Sequence, residues 1–396
     1  MIRMIKEKRK ILRALLFVFL VFAVSFVFAA LQKQDTGDQE KIAGQHHEEW
    51  QEEVEKEEYN AGKKIIEHII DSHEWHIATI GETHITIPLP VILYHEGKLH
   101  AFMSSKFHHG HASYKGFHLE TEGEYKGKIV RDPEIDMLNE EIVEIEQTAA
   151  GREIDLPLDF SITKNVLAIW ISMIILCWVF ISVANSYKKR KGEAPKGLQS
   201  LLEPLILFIR DDVAKAAIGE KKFQKYLPFL LTLFFFIFLN NLLGLIPIFP
   251  GGANVTGNIA VTGVLAVFSL VVTTFSANKD YWKHIFNTPG VPVWLKLPIP
   301  LMPIVEIIGV FTKPFVLMVR LFANITAGHI IILGFISLIF IFGNLNPGLG
   351  YGVSVVSVLF AVFMGMLELL VAFIQAYVFT LLSALYFGMA LEEHHH

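Results

Sequence analysis

Two long apolar runs near the C-terminus carry the residues that could do chemistry. Residues 303–342 hold Glu306, Lys313, Arg320, Asn324 and His329; residues 352–391 hold Glu368 and Gln375. An arginine at the centre of a membrane helix costs about 2.5–3.5 kcal/mol on insertion scales, and a charge kept against that cost marks a functional site. Arg320 stays protonated at any working pH. It cannot relay a proton, but it can hold a carboxylate ionised or bar a cation. His329 and Glu368 can titrate, the histidine near neutral pH. A fixed charge beside titratable groups in a membrane outlines a gated proton route. Blander roles compete. Arg320 also reads as an ion-pair partner of Glu306 or Glu368, and His329 as a core histidine or a structural partner of Glu368. Asn324 and Gln375 also read as interhelical hydrogen bonds, and Glu306 with Lys313 as an intrahelical pair near the cytoplasmic surface.

Spacing decides which of these groups share a face. Each helical residue advances by about 100°. Glu306, Lys313 and Arg320 follow at intervals of seven and Asn324 comes four later, so all four fall on one stripe. His329, nine past Arg320, faces roughly the other way. Glu368 and Gln375 are seven apart and share a face of the second run. A helical hairpin then presents Arg320 with Gln375 on one side and lets His329 meet Glu368 on another. Each run has about forty residues, about 60 Å as a helix, against a hydrocarbon core of about 30 Å. Such helices lie steeply tilted or break, and Pro314 is the one obvious break. The Gly/Asn/Pro cluster between the runs joins two elements.

The elements that must position these groups follow from composition and order. The chain is 53% hydrophobic and 18% charged, with a mean hydropathy of +0.45, which places it among membrane proteins. Its single Cys177 lies in an apolar run, so no disulfide framework or cysteine metal site is available. Nothing points to nucleic acid, and no glycine-rich phosphate loop is present. Residues 1–30 read as a signal peptide, with a basic start, an apolar stretch and small residues at Ala29 and Ala30; an uncleaved anchor is the alternative. Residues 31–160 form an exported segment rich in His and Glu, helical over 45–71 and a hairpin over 83–103 around His95-Glu96-Gly97-Lys98. Twelve histidines fall between His46 and His118. Their spacing matches no metal motif; they read as a solvated or proton-collecting surface.

The membrane domain spans 161–393. Residues 165–184 are the first span, and Lys188, Lys189, Arg190 and Lys191 put its end in the cytoplasm by the positive-inside rule. Residues 201–213 are expected as an amphipathic helix lying on the membrane surface. Spans at 226–249 and 258–276 follow, with an external turn at Pro250-Gly251-Gly252 and a second basic loop at Lys279, Lys283 and Lys296. The hairpin of 303–391 completes about five membrane helices, an all-α membrane fold with a cytoplasmic C-terminus.

Arg320-Leu321-Phe322-Ala323-Asn324 followed by Ala327-Gly328-His329 resembles the arginine motif of subunit a of F-type ATP synthases. Residues 241–247 (NLLGLIP), Asn254-Val255-Thr256 and Gln375 match as well, and the likeness covers roughly 160–393. It implies that Arg320 is the essential arginine facing the carboxylates of a rotating c-ring, with Asn324 and Gln375 as polar neighbours. Some members carry Glu where His329 stands and His where Glu368 stands, so the pair is present here in exchanged order. Glu306 matches a carboxylate near the cytoplasmic exit of some members. The implied partners are the c-ring, the peripheral-stalk b subunits and the lipid bilayer of a bacterial inner membrane. The implied cargo is H+, with Na+ also open, and no cofactor or metal is implied. ATP chemistry would lie in other subunits. The competing function is a secondary transporter with its substrate site at Arg320, although no internal repeat of the transporter kind is seen. The likeness gives no role to residues 31–160.

Overall fold

The computed structural model describes residues 61–80, 83–121, 125–131, 142–144, 155–190, 192–246, 249–286 and 301–392. The signal-like start and most of the expected helix at 45–71 lie outside the described residues. The chain begins with α1 (Ala61–Ile69) and a β-rich region: β1 (Glu74–Ile80), β2 (Thr83–Pro88), β3 (Pro90–His95), β4 (Lys98–Met103), β5 (Ala112–Tyr114), β6 (Phe117–Leu119), β7 (Ile129–Arg131), β8 (Ile142–Glu144) and β9 (Leu158–Asp159). Three antiparallel sheets result, in orders β1-β2, β4-β3-β9 and β7-β6-β5-β8. The expected turn at Glu96-Gly97 joins β3 to β4, with His95 opposite Lys98. The expected hairpin is shorter than 83–103, because β2 turns away to pair with β1. Val91, Leu93, Phe107, Phe117 and Ile129 form the small core of this region.

Among the described residues, five helices are long and apolar enough to cross a membrane. They are α2 (Lys164–Lys189), α4 (Phe223–Leu245), α5 (Ile259–Ser276), α7 (Leu301–Leu345) and α8 (Pro347–Leu391), with α3 (Leu198–Phe208) and α6 (Lys279–Phe286) between them. Thr163 caps α2 by accepting from Val166 N, and Asn258 caps α5 by accepting from Ala260 N at 2.9 Å. These caps satisfy amides that the first turn of a helix leaves without partners. Asn346 does the same for α8, accepting from Gly348 N at 2.8 Å, and Pro347 begins that helix where its missing N–H costs nothing. Gly343 and Gly350 let the two long helices touch at this turn: a Cβ on Gly350 would lie 2.7 Å from Gly343 Cα.

Helix α7 runs through Pro314 without a break, so the tilted alternative holds for the hairpin. The two 45-residue helices pack along each other, α8 also on α4, and α7 on α5. Leu230, Phe234, Ile237, Leu317, Leu321, Ala376, Phe379 and Phe387 form the shared core. The segment expected on the membrane surface is different. Residues Ile209–Lys215 are a π-helical continuation of α3, and Ile209, Val213 and Ala214 are fully buried in that same core. The wider π turn carries both valine and isoleucine inward while Arg210 pairs with Asp211 outside at 2.7 Å. The opposite flank of the hairpin is open: Phe311, Phe315 and Val319 on α7 and Val355, Leu359, Val362 and Met366 on α8 are exposed. So large an apolar face is covered by lipid or by another protein.

Candidate functional site

The hairpin brings His329 and Glu368 together. Their rings of neighbours are apolar helices, yet Nδ1 of His329 is hydrogen-bonded to Oε1 of Glu368. Glu368 is 3% exposed and His329 11%, so solvent does not compensate either side chain and each depends on the other. The contact requires Gly328. A Cβ there would lie 2.8 Å from Glu368 Oε1 and 2.9 Å from its Cδ, so any larger residue would push the carboxylate aside. On the far side of the imidazole stands α4. A Cβ on Gly244 would sit 3.8 Å from His329 Nε2 and 3.4 Å from the carbonyl oxygen of Ala253. His329 therefore lies wedged between α8, α4 and the loop that follows α4.

That loop adds polar groups. Thr256 Oγ1 donates to Asn241 Oδ1 at 2.6 Å, and Asn241 Nδ2 donates to the carbonyl of Ala372 at 3.1 Å. Ala372 is one turn beyond Glu368. Asn254 accepts from Gly257 N at 3.1 Å. Glu368 Oε2, Thr326 Oγ1, Asn240 Oδ1 and Asn254 Nδ2 are buried without a hydrogen-bond partner among the described residues. Buried polar atoms left this way call for water or a passing ion. Asn241 and Thr256 did not stand out by spacing in a membrane pattern. Their only sequence signal is the family-like stretches in which they sit.

Arg320 is placed otherwise. It is exposed on α7, as is Asn324, and among the described residues it makes no ion pair. Arg320 and Asn324 thus face the open apolar flank of the hairpin, where an unpaired charge is costly. Gln375 is buried, 8% exposed, on α8. No hydrogen bond joins it to Arg320 among the described residues. The stripe from Glu306 to Asn324 also divides. Glu306 and Lys313 are half-buried because α6 covers this end of α7. Lys313 Nζ lies 5.6 Å from the centroid of Tyr386. Burial, and next the nearby charge of Glu306, push the Tyr281 phenol on α6 above its ordinary value. Along α7, His329 is about 13 Å from Arg320 and Glu306 about 21 Å on the other side. The titratable groups therefore lie at two heights with the fixed charge between them.

Five apolar helices, a buried titratable pair and a lone arginine on an open face define a multi-pass membrane protein of the ion-transporting kind. Comparison with known proteins gives the family. The profile of the ATP synthase A chain matches residues 166–388, and that of a domain of unknown function (DUF8433) matches 64–160. ATP synthase subunit a of Chloroherpeton thalassium is 47% identical over 244 residues, 60% of this chain and 69% of that protein. ATP synthase subunit a 2 of Chlorobaculum tepidum is 48% identical over 239 residues, 59% of this chain and 64% of that protein. Subunit a of Myxococcus xanthus is 42% identical over 259 residues, 63% of this chain and 80% of that protein. The chain belongs to the ATP synthase A chain family.

Proposed function

We propose that this chain is the proton-translocating stator subunit of a rotary F-type ATP synthase. The reading rests on one observation above all: a buried, hydrogen-bonded His329–Glu368 pair offset along α7 from an exposed arginine that makes no ion pair among the described residues. In this reading the open flank of α7 and α8 receives the c-ring, and peripheral-stalk b subunits hold the chain against rotation. Residues 1–30 are a leader, 31–160 lie outside the bacterial inner membrane, and 161–393 form the membrane domain with its C-terminus in the cytoplasm. The basic run Lys188–Lys189–Arg190–Lys191 supports that orientation.

A proton from outside reaches His329 and Glu368 past the polar groups of Asn241 and Thr256. It passes to a ring carboxylate, travels round with the ring, and leaves on the cytoplasmic side near Glu306. Arg320 lies between the two routes. Its fixed charge favours the ionised form of a passing carboxylate and repels a proton that would cross directly. Asn324 beside it and Gln375 on α8 supply neutral hydrogen-bonding groups along the path. One charge crossing 100 mV is worth about 2.3 kcal/mol, so several crossings drive each ATP.

Arg320→Ala tests this. Inverted membrane vesicles carrying assembled complex should lose ATP-driven proton pumping and ATP synthesis. Arg320→Lys keeps the charge without the planar fork and should not restore coupling. Normal coupled pumping by the alanine variant would overturn the proposal.

A further inference from the structure

The β-rich region of 64–160 has no role in the reading above, yet it is fastened to the membrane domain at a chosen place. Asp71 accepts from Thr163 Oγ1 at 2.7 Å and from Asn165 N at 3.0 Å, which ties the end of α1 to the start of α2. His73 Nε2 meets Asp159 Oδ2 at 3.0 Å in the same seam, with both side chains buried. Lys164 N donates to the carbonyl of Ser72 at 2.9 Å. This seam sets Trp75, the second residue of β1, against the loop between α4 and α5. Trp75 is 3% exposed and packs with Ala168, Ile169, Ala253, Val255 and Val261. Its ring meets Phe249 edge-on at 5.1 Å.

The loop that Trp75 holds is the one that reaches the proton pair. The Ala253 carbonyl and the His329 imidazole both lie over Gly244, and Thr256, next to Val255, is the residue that fixes Asn241. Asn241 in turn holds the backbone of α8 one turn past Glu368. Trp75 is thus linked to His329 through Ala253 and Gly244, and to the turn of α8 after Glu368 through Val255, Thr256 and Asn241. A buried tryptophan braced against a short loop is stiff, and a tight proton path loses rate when its groups move by about 1 Å.

We propose that the exported β-rich region is a working part of the proton entrance, with Trp75 as a positioning residue. It braces the Phe249–Thr256 loop and so holds His329, Glu368 and Asn241 in register. This inference rests on the proton-path reading, and the test separates the two. Whole ATP synthase carrying Trp75→Ala, Trp75→Phe or Thr256→Val is reconstituted in liposomes at matched amounts of assembled complex. ATP synthesis is measured against the pH of the compartment that this region faces, with the opposite side and the potential held fixed. Trp75→Ala should lower the rate per complex about tenfold and move its half-maximal point to more acidic external pH, because access from that side is impaired. Trp75→Phe keeps a ring against Phe249 and should recover most of the rate and the pH profile. Thr256→Val should reproduce the alanine phenotype, with the double variant no worse than either single. If Trp75→Ala does not assemble, Val255→Ala, which thins the same apolar contact and removes no polar group of the proton path, carries the test in its place. A wild-type rate and pH profile per complex, in Trp75→Ala or in its place Val255→Ala, would overturn the inference. Glu368→Gln in the same assay reports on the proton path itself. Full transport by that variant would overturn the underlying reading. Loss in Glu368→Gln with a neutral Trp75→Ala would sink only the role of the β-rich region.

Discussion

Histidine–carboxylate pairs occur both in the β-rich region and in the hairpin, at similar burial. His73 with Asp159, His118 with Glu120 and His329 with Glu368 are each almost closed off from solvent. Their settings differ. The first two are joined by short strands and turns in a region that also holds the pairs His95–Asp155 and Arg131–Glu96. The third joins two 45-residue apolar helices, α7 and α8. Local geometry alone therefore does not separate a structural pair from a transporting one. The separation comes from what else a proton could do. In the β-rich region it has many alternatives; in the hairpin it has one partner and a few polar atoms left without partners among the described residues.

Substitutions in the two regions should separate these roles. Glu368→Gln should cut ATP-driven proton pumping about 100-fold, the scale of losing a positioned proton-transfer group, with complex still assembled. Glu120→Gln should leave pumping per assembled complex unchanged and lower the stability of the β-rich region by about 1–3 kcal/mol, read as its thermal transition within the whole complex. Equal pumping defects in both would erase the contrast. Gly328→Ala should fall between them. Its Cβ displaces Glu368 without removing it, so pumping should drop about tenfold, and wild-type pumping would show that the hydrogen bond to His329 is dispensable.

The smallest effect belongs to His100, in β4. Burial, and next the charge of Arg131, hold its imidazole below the ordinary value of 6.5. The folded state thus binds this proton less readily than the unfolded chain. His100 leaves stability untouched above pH 6.5 and lowers it as pH falls below that point. NMR of the His100 ring in the full chain should give a midpoint under 6.5, and Arg131→Gln should raise it. A midpoint at or above 6.5 in the unsubstituted protein would contradict this.

The sequence announced one region far better than the other. The membrane helices were legible because apolar runs and basic loops are local signals. The meeting of His329 with Glu368 was legible from helical periodicity once the hairpin was recognised. Long-range contacts left no such trace. That β2 pairs with β1, or that β9 joins β3 from far along the chain, depends on packing that no short window records. The same holds for Trp75 against Phe249 and for Ile209 and Val213, which lie in the core shared with α4 and α8. Gly328 sat in plain view within the arginine motif, but its reason, the Glu368 carboxylate 2.8 Å from where a Cβ would sit, exists only in three dimensions.

The central claim is that His329 and Glu368 act as one unit in proton transfer, and exchanging them tests it most directly. His329→Glu and Glu368→His are measured singly and together for ATP-driven pumping in inverted vesicles at matched assembly. Each single change leaves two like or mismatched groups in an apolar site, and each should slow pumping strongly. The double exchange keeps one imidazole and one carboxylate in contact with their order reversed, and should recover much of the lost rate, limited by packing shaped for the present order and by the tight fit at Gly328. A double variant no better than the worse single would contradict the account and place the proton path among other groups.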